Sequence, residues 1–136
     1  AKSLHIMIID AAMAAEEPQP GIPIALATGD VLVRKALLLM QQSIDTPLSI
    51  GLLVARLGVG RRKLERHFRE ALGMTPLEAD RFIRIEQAKH LLRNTRRSAT
   101  RIANETGFCD LPHLIRVFRA SEGMTPEAWR QAQQDP

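Results

Sequence analysis

The chain has 136 residues, is 45% hydrophobic and 25% charged, and carries a formal net charge of +4. That length suits one domain with a short flanking piece, and the composition supports a packed core rather than a disordered chain. A single cysteine, Cys109, excludes an internal disulfide, which suits a reducing cytoplasm, and no apolar run reaches the roughly 18 residues of a membrane span.

From the N-terminus, the apolar stretch 4–13 is interrupted by Asp10 and follows no basic run, so it does not read as a signal peptide. Residues 16–28 are proline-rich and show no helical period; they read as a linker, making 1–28 an N-terminal extension. Residues 30–43 read as an amphipathic helix with Val31, Leu38 and either Val33 or Leu37 facing inward, stopped by Asp45-Thr46-Pro47. Ser49 is placed to cap a helix over 50–57, with Leu48 and Leu53 spaced as a hydrophobic staple and Gly58 as its stop. A second helix is predicted from about Arg61 to Leu72. Its Leu64, Phe68 and Leu72, at i, i+4 and i+8, share a buried face. Thr75, Pro76 and Glu78 spell a capping box at the start of a long helix over 76–93, with Phe82, Ile85, Ala88 or Lys89, and Leu92 as its apolar stripe. After a polar break at 94–97, Ser98 caps a helix to Thr106. Gly107 opens a turn, and Asp110 caps a helix to about Ser121 that buries Leu114 and Phe118. Thr125 and Pro126 begin a last short helix carrying Trp129. No strand alternation appears, so the fold class is all-α, with about seven helices.

These elements repeat. Gly73-Met74-Thr75-Pro76 recurs as Gly123-Met124-Thr125-Pro126, and Leu64, Arg66, Phe68 and Arg69 recur as Leu114, Arg116, Phe118 and Arg119, all offset by 50. Further upstream the offset is 49: Ser49 matches Ser98 and Gly58 matches Gly107. Each copy reads as helix, tight turn, helix, so residues 29–136 form a double helix-turn-helix domain: a first unit at about 30–74, a linker helix at 76–93 and a second unit at about 98–132.

A helix-turn-helix braces its first helix on the duplex backbone and lays the second in the major groove. Arg61, Arg62 and Lys63 open the first candidate recognition helix. Arg62, Glu65, Arg66 and Arg69, three and four apart, form a polar stripe away from Leu64 and Phe68. Arginine pairs bidentately with guanine, and glutamate accepts from cytosine N4. A solvated basic face is the bland alternative; the repeat favours double-stranded DNA. In the second unit the candidates are Leu111, Pro112, His113, Ile115 and Arg116. Arg116 holds the repeat position of Arg66, while Ile115 is either a thymine-methyl contact or a core residue. Charge follows the same division: residues 58–119 hold 14 Lys/Arg against 7 Asp/Glu, and residues 1–48 hold 3 against 5. A linker helix of about 18 residues spans roughly 27 Å, against about 34 Å between successive groove faces, so one chain can be expected to read two adjacent half-sites.

The residues Ile102-Ala103, Gly107-Phe108, Arg116, Phe118-Arg119 and Gly123-Met124-Thr125-Pro126 resemble the signature of the AraC/XylS family of bacterial transcription regulators, over about residues 30–130. The resemblance implies base contacts by Arg62, Glu65 and Arg66 in the first unit and by Leu111, Pro112, His113, Ile115 and Arg116 in the second. It also implies activation of transcription and contact with RNA polymerase. The segment around His5-Ile6 and Glu17-Pro18-Gln19-Pro20 is similar to the junction of a subgroup with an amidotransferase-like sensor domain. On that resemblance the chain, which opens on Ala1, is the C-terminal part of a longer protein whose sensor takes a small-molecule effector, and 1–28 is the tail of that sensor. Pro112, Leu114 and Ile115 depart from the small polar, aromatic and small polar residues usual in members, and Val54 replaces a usual alanine.

His5, His67, His90 and His113 lack metal-ligand spacing, and no phosphate loop or nucleophile motif occurs, so no metal, cofactor or enzyme activity is expected. Phe68, Phe82, Phe108, Phe118 and Trp129 read as core rather than base-stacking platforms, and Cys109 as a packed or half-exposed thiol. Two rivals remain. One is an interaction or dimerisation piece, with residues 1–15 packing on a missing catalytic domain. The other is an architectural binder with little sequence preference.

Overall fold

The structure, a computed structural model, describes residues 28–134; the expectations for the extension before Thr28, including His5, lie outside them. The described residues form seven helices and no strand: α1 (Val31–Gln42), α2 (Ile50–Leu57), α3 (Arg61–Leu72), α4 (Pro76–Asn94), α5 (Ala99–Glu105), α6 (Leu111–Glu122) and α7 (Pro126–Gln134). They pack as two units. The first holds residues up to 42 together with 48–80, and the second holds 43–47 together with 81 onward. The division therefore falls inside α4, not at its ends.

In the first unit, Asp30 caps α1: its Oδ1 accepts from the Val33 amide at 3.1 Å. Its Oδ2 accepts from His67 Nδ1 on α3 at 2.8 Å, so one carboxylate caps α1 and ties it to α3. Burial works against ionisation of Asp30, but the Val33 amide and then His67 hold its pKa below the ordinary 3.8. Replacing Asp30 by alanine is expected to cost about 1–2 kcal/mol, as loss of an N-cap does. Because the folded pKa is the lower one, this contribution is complete above the ordinary carboxylate range and fades as pH falls through the folded value. Denaturation of wild type and Asp30→Ala at neutral and acid pH checks this: a gap that fails to narrow in acid argues against the carboxylate.

The buried face of α1 is Val33, Ala36, Leu37 and Met40. Val31 and Leu38, expected inside, are 59% and 41% exposed. The helix is apolar on several sides, so periodicity alone does not set its phase; the i, i+3, i+4, i+7 row that includes the small Ala36 is the one that packs. Ser49 accepts from the Leu52 amide to start α2, and Gly58, in the left-handed conformation, ends it. Leu64, Phe68 and Leu72 of α3 are fully buried, as their spacing predicts.

The capping box of α4 forms in both directions: the Thr75 amide donates to Glu78 Oε1 and the Glu78 amide to Thr75 Oγ1. Ile85, Ala88 and Leu92 are buried as expected, whereas Phe82 is half-buried, and Ala79, Ile83 and Leu91 are buried as well. Residues 76–80 belong to the first unit and 81–94 to the second, so the buried positions of α4 do not follow one stripe.

The second unit is built on Ile85, Ala88, Leu91, Leu92, Ile102, Ala103, Phe108, Leu114, Phe118 and Trp129. The Phe118 and Trp129 rings meet edge to face at 6.1 Å, and Lys89 and Arg93 cover the indole. Arg130 donates to the Leu92 and Arg97 carbonyls, satisfying acceptors near the end of α4. Arg84 is buried and donates to the Ile44 carbonyl at 2.7 Å and the Thr106 carbonyl at 2.8 Å. It thereby fastens the 43–47 segment to the turn after α5. The next residue, Gly107, has φ +78 and lies against the same guanidinium.

Candidate nucleic-acid interface

The candidate recognition face of the first unit is the outer side of α3. Gly60 caps this helix without a side-chain hydrogen bond, which leaves first-turn amides open toward an acceptor. Arg61, Arg62, Lys63, Arg66 and Arg69 are exposed and Glu65 is half-buried. Arg62, Glu65, Arg66 and Arg69, together with Glu70, line one shallow, open depression. Arg61 Nε lies 3.4 Å from Glu65 Oε2. An exposed pair one helical turn apart contributes little stability, so Glu65 can exchange that partner for another donor at small cost.

In the second unit the corresponding helix is α6. Asp110 accepts from the His113 amide at 2.9 Å to cap it, and Pro112 sits in the first turn, where its missing N–H removes no intrahelical bond. The repeat holds in three dimensions. Leu64 and Leu114 are buried, Glu65 and Ile115 half-buried, Arg66 and Arg116 exposed, His67 and Val117 half-buried, Phe68 and Phe118 buried, and Arg69 and Arg119 exposed. The helices differ at their openings. Arg61 and Lys63 are exposed cations, whereas Leu111 and His113 are half-buried. Ile115, left open between base contact and core, is half-buried.

The His113 imidazole stands edge-on to Phe108, centroids 5.3 Å apart, and its Nδ1 accepts from the Cys109 amide at 3.4 Å. Burial lowers the pKa of His113 below the ordinary 6.5; Arg116 and then Arg81 lower it further, against Asp110, which raises it. Cys109 is exposed. Two cations outside the sequence-derived set thus belong to this surface. Arg119 was legible, because the repeat pairs it with Arg69. Arg81, on α4 and exposed, carried no signal: its proximity to α6 is a product of packing. Among the described residues no group of three His, Cys, Asp or Glu is placed to hold a metal ion, and no helix is long and apolar enough to cross a membrane.

Two helix-turn-helix units, each with a buried apolar row and an outward basic row on its second helix, define a double helix-turn-helix domain. Residues 53–132 match the family described as a helix-turn-helix domain. With its likeness to AraC-type domains of known structure, the chain belongs to the AraC-type helix-turn-helix family of transcriptional regulators. It is 30% identical over 108 residues to the HTH-type transcriptional regulator GbdR of Pseudomonas aeruginosa, covering 79% of this chain and 29% of that protein; the chain thus spans under a third of this relative's length. An AraC-type transcriptional regulator from Chromobacterium violaceum superposes with a TM-score of 0.70 at 32% identity, over 77% of this chain and 94% of that one. The DNA-binding domain of AdpA, solved in complex with a target DNA, superposes with a TM-score of 0.70 at 27% identity, over 76% of this chain and 93% of that one.

Proposed function

We propose that this chain is the DNA-binding part of a larger transcription activator, and that it reads one duplex sequence by placing α3 and α6 in adjacent major-groove segments. The observation that carries the reading is the matched register of exposure along the two helices, which turns Arg66 and Arg116, and again Arg69 and Arg119, outward from equivalent buried rows. Arg62, Glu65 and Arg66 are the base readers of the first half-site, and Arg61, Lys63 and Arg69 its phosphate anchors. Leu111, Pro112, His113, Ile115 and Arg116 face the second. Phosphate contacts supply affinity and salt dependence, and base contacts supply preference.

In this reading residues 1–28 are the tail of a preceding amidotransferase-like sensor domain, which takes a small-molecule effector. The whole protein acts in the cytoplasm through RNA polymerase. The short span of this chain within GbdR leaves room for such a sensor in a protein of that size.

Selection of bound sites from random duplex DNA at near-physiological salt tests the proposal. Two short motifs about 10–10.5 base pairs apart are expected. A single motif would leave α6 as an anchor only, and weak, salt-sensitive binding without enrichment would favour an architectural binder. No binding at all would refute the proposal. Arg66→Ala is expected to weaken specific binding by about 1–3 kcal/mol and to relax preference at one base pair, and Arg116→Ala to do the same in the other half-site. An equal loss on every sequence would make either residue a phosphate contact.

A further inference from the structure

The second recognition helix offers few groups able to distinguish one base pair from another by hydrogen bonding. Of Leu111, Pro112, His113, Ile115 and Arg116, only the histidine and the arginine carry polar side-chain atoms. The first helix presents an exposed lysine, Lys63, at the repeat position that His113 fills here. These residues differ in more than charge: an exposed lysine is a mobile cation, while the imidazole is held on two sides. Phe108 packs against it with the ring planes at 77°, and the Cys109 amide donates to its Nδ1.

The hydrogen bond from Cys109 favours one tautomer. An Nδ1 that accepts has no proton of its own, so a neutral ring carries its proton on Nε2 and presents a donor there. The surroundings favour the neutral ring: burial disfavours the imidazolium first, and Arg116 and Arg81 add to that effect, with Asp110 acting against it. In its neutral form His113 is therefore a single-donor group, held by Phe108 and the Cys109 amide at the edge of the exposed face of α6.

Resting on the DNA-binding reading above, we infer that His113 sets sequence preference in the second half-site by donating one hydrogen bond from Nε2–H to a major-groove acceptor. The matching acceptors are purine N7, guanine O6 and thymine O4; the cytosine N4 amino group, itself a donor, is rejected. Because the ring is uncharged, it displaces no counterion, so its contribution belongs to preference and not to the salt dependence of binding. Its fixed orientation lowers the ordering cost of the contact.

The test compares the full chain with His113→Ala and His113→Gln in the same site selection, with binding measured at several salt concentrations. Glutamine places an amide N–H near the former Nε2 and so restores a donor. The wild type is expected to favour an acceptor-bearing base at one position of the second half-site. His113→Ala is expected to reduce discrimination there by about fivefold or more, with the first half-site and the salt slope unchanged, and His113→Gln to recover part of it. Long-range proton–nitrogen NMR of the free chain at pH 7 is expected to show the Nε2–H tautomer. Three outcomes overturn the inference: unchanged preference in His113→Ala, a uniform loss with a shallower salt slope, or an Nδ1–H or charged ring. If the wild type yields two motifs and His113→Ala keeps both, this inference alone fails. If the wild type selects no motif, the DNA-reading proposal fails with it.

Discussion

Gly107→Ala is expected to destabilise the second unit by about 3–5 kcal/mol, combining left-handed strain with disruption of a buried charged hydrogen-bond group. Two costs coincide. The backbone at φ +78 lies where L side chains are strained. An added Cβ would also collide with the Arg84 guanidinium and stand 2.5 Å from the Ile44 carbonyl oxygen and 2.8 Å from that of Thr46. The guanidinium cannot move aside freely, because it is buried and holds the Ile44 and Thr106 carbonyls. Those acceptors would lose their donor in an interior where replacement water is scarce. Chemical denaturation of wild type and variant checks the magnitude. A double-mutant cycle with Arg84→Met separates the causes. Partial recovery in the double variant identifies the guanidinium collision, and strict additivity assigns the loss to backbone strain and the carbonyl contacts. A loss under about 1 kcal/mol would show that the turn adjusts around the methyl group.

Phe118→Ala is the second large effect, expected at about 3–5 kcal/mol, as for a buried aromatic ring replaced by a methyl group. Phe118 is fully buried in the cluster with Ile102, Leu114 and Trp129, and its edge-to-face contact with Trp129 is lost along with its packing. The result bears on function as well as stability. Arg116 and Arg119 flank Phe118 on α6 and face outward because Phe118 and Leu114 fix the rotation of that helix. Site selection with Phe118→Ala should therefore weaken the second motif while the variant is still folded, with the midpoint of denaturation as the control. An intact second motif beside a stability loss of this size would mean that α6 keeps its rotation through Leu114 alone.

Much of this molecule is legible in the residues. The caps at Ser49, Ser98 and Asp110 and the Thr75–Glu78 box follow from side chains that satisfy first-turn amides, and each bond forms as the sequence predicts. The repeat at offset 50 carried further still, because it pairs both buried rows and exposed arginines. Where the reading of α1 failed, at Val31 and Leu38, the reason is compositional: a helix with apolar residues on most sides has no unique buried phase. Glu65 and Ile115 share one register position but not one chemistry, and the sequence leaves open what Ile115 touches.

By itself, then, the sequence determined the all-α class, the two helix-turn-helix units, the helix boundaries to within a residue or two, and the identity of the outward basic row on α3. All of these depend on local rules: helical period, capping and the repeat. Only the tertiary structure decided that Arg84 lies buried between Ile83 and Ile85 and bonds the distant Ile44 carbonyl. It alone decided that residues 43–47 pack with the second unit, that Arg81 adds its charge beside α6, and that the Cys109 amide donates to His113 Nδ1. Those facts depend on which residues, far apart in the chain, are brought together when apolar faces are buried, and the spacing of residues along the chain does not encode that.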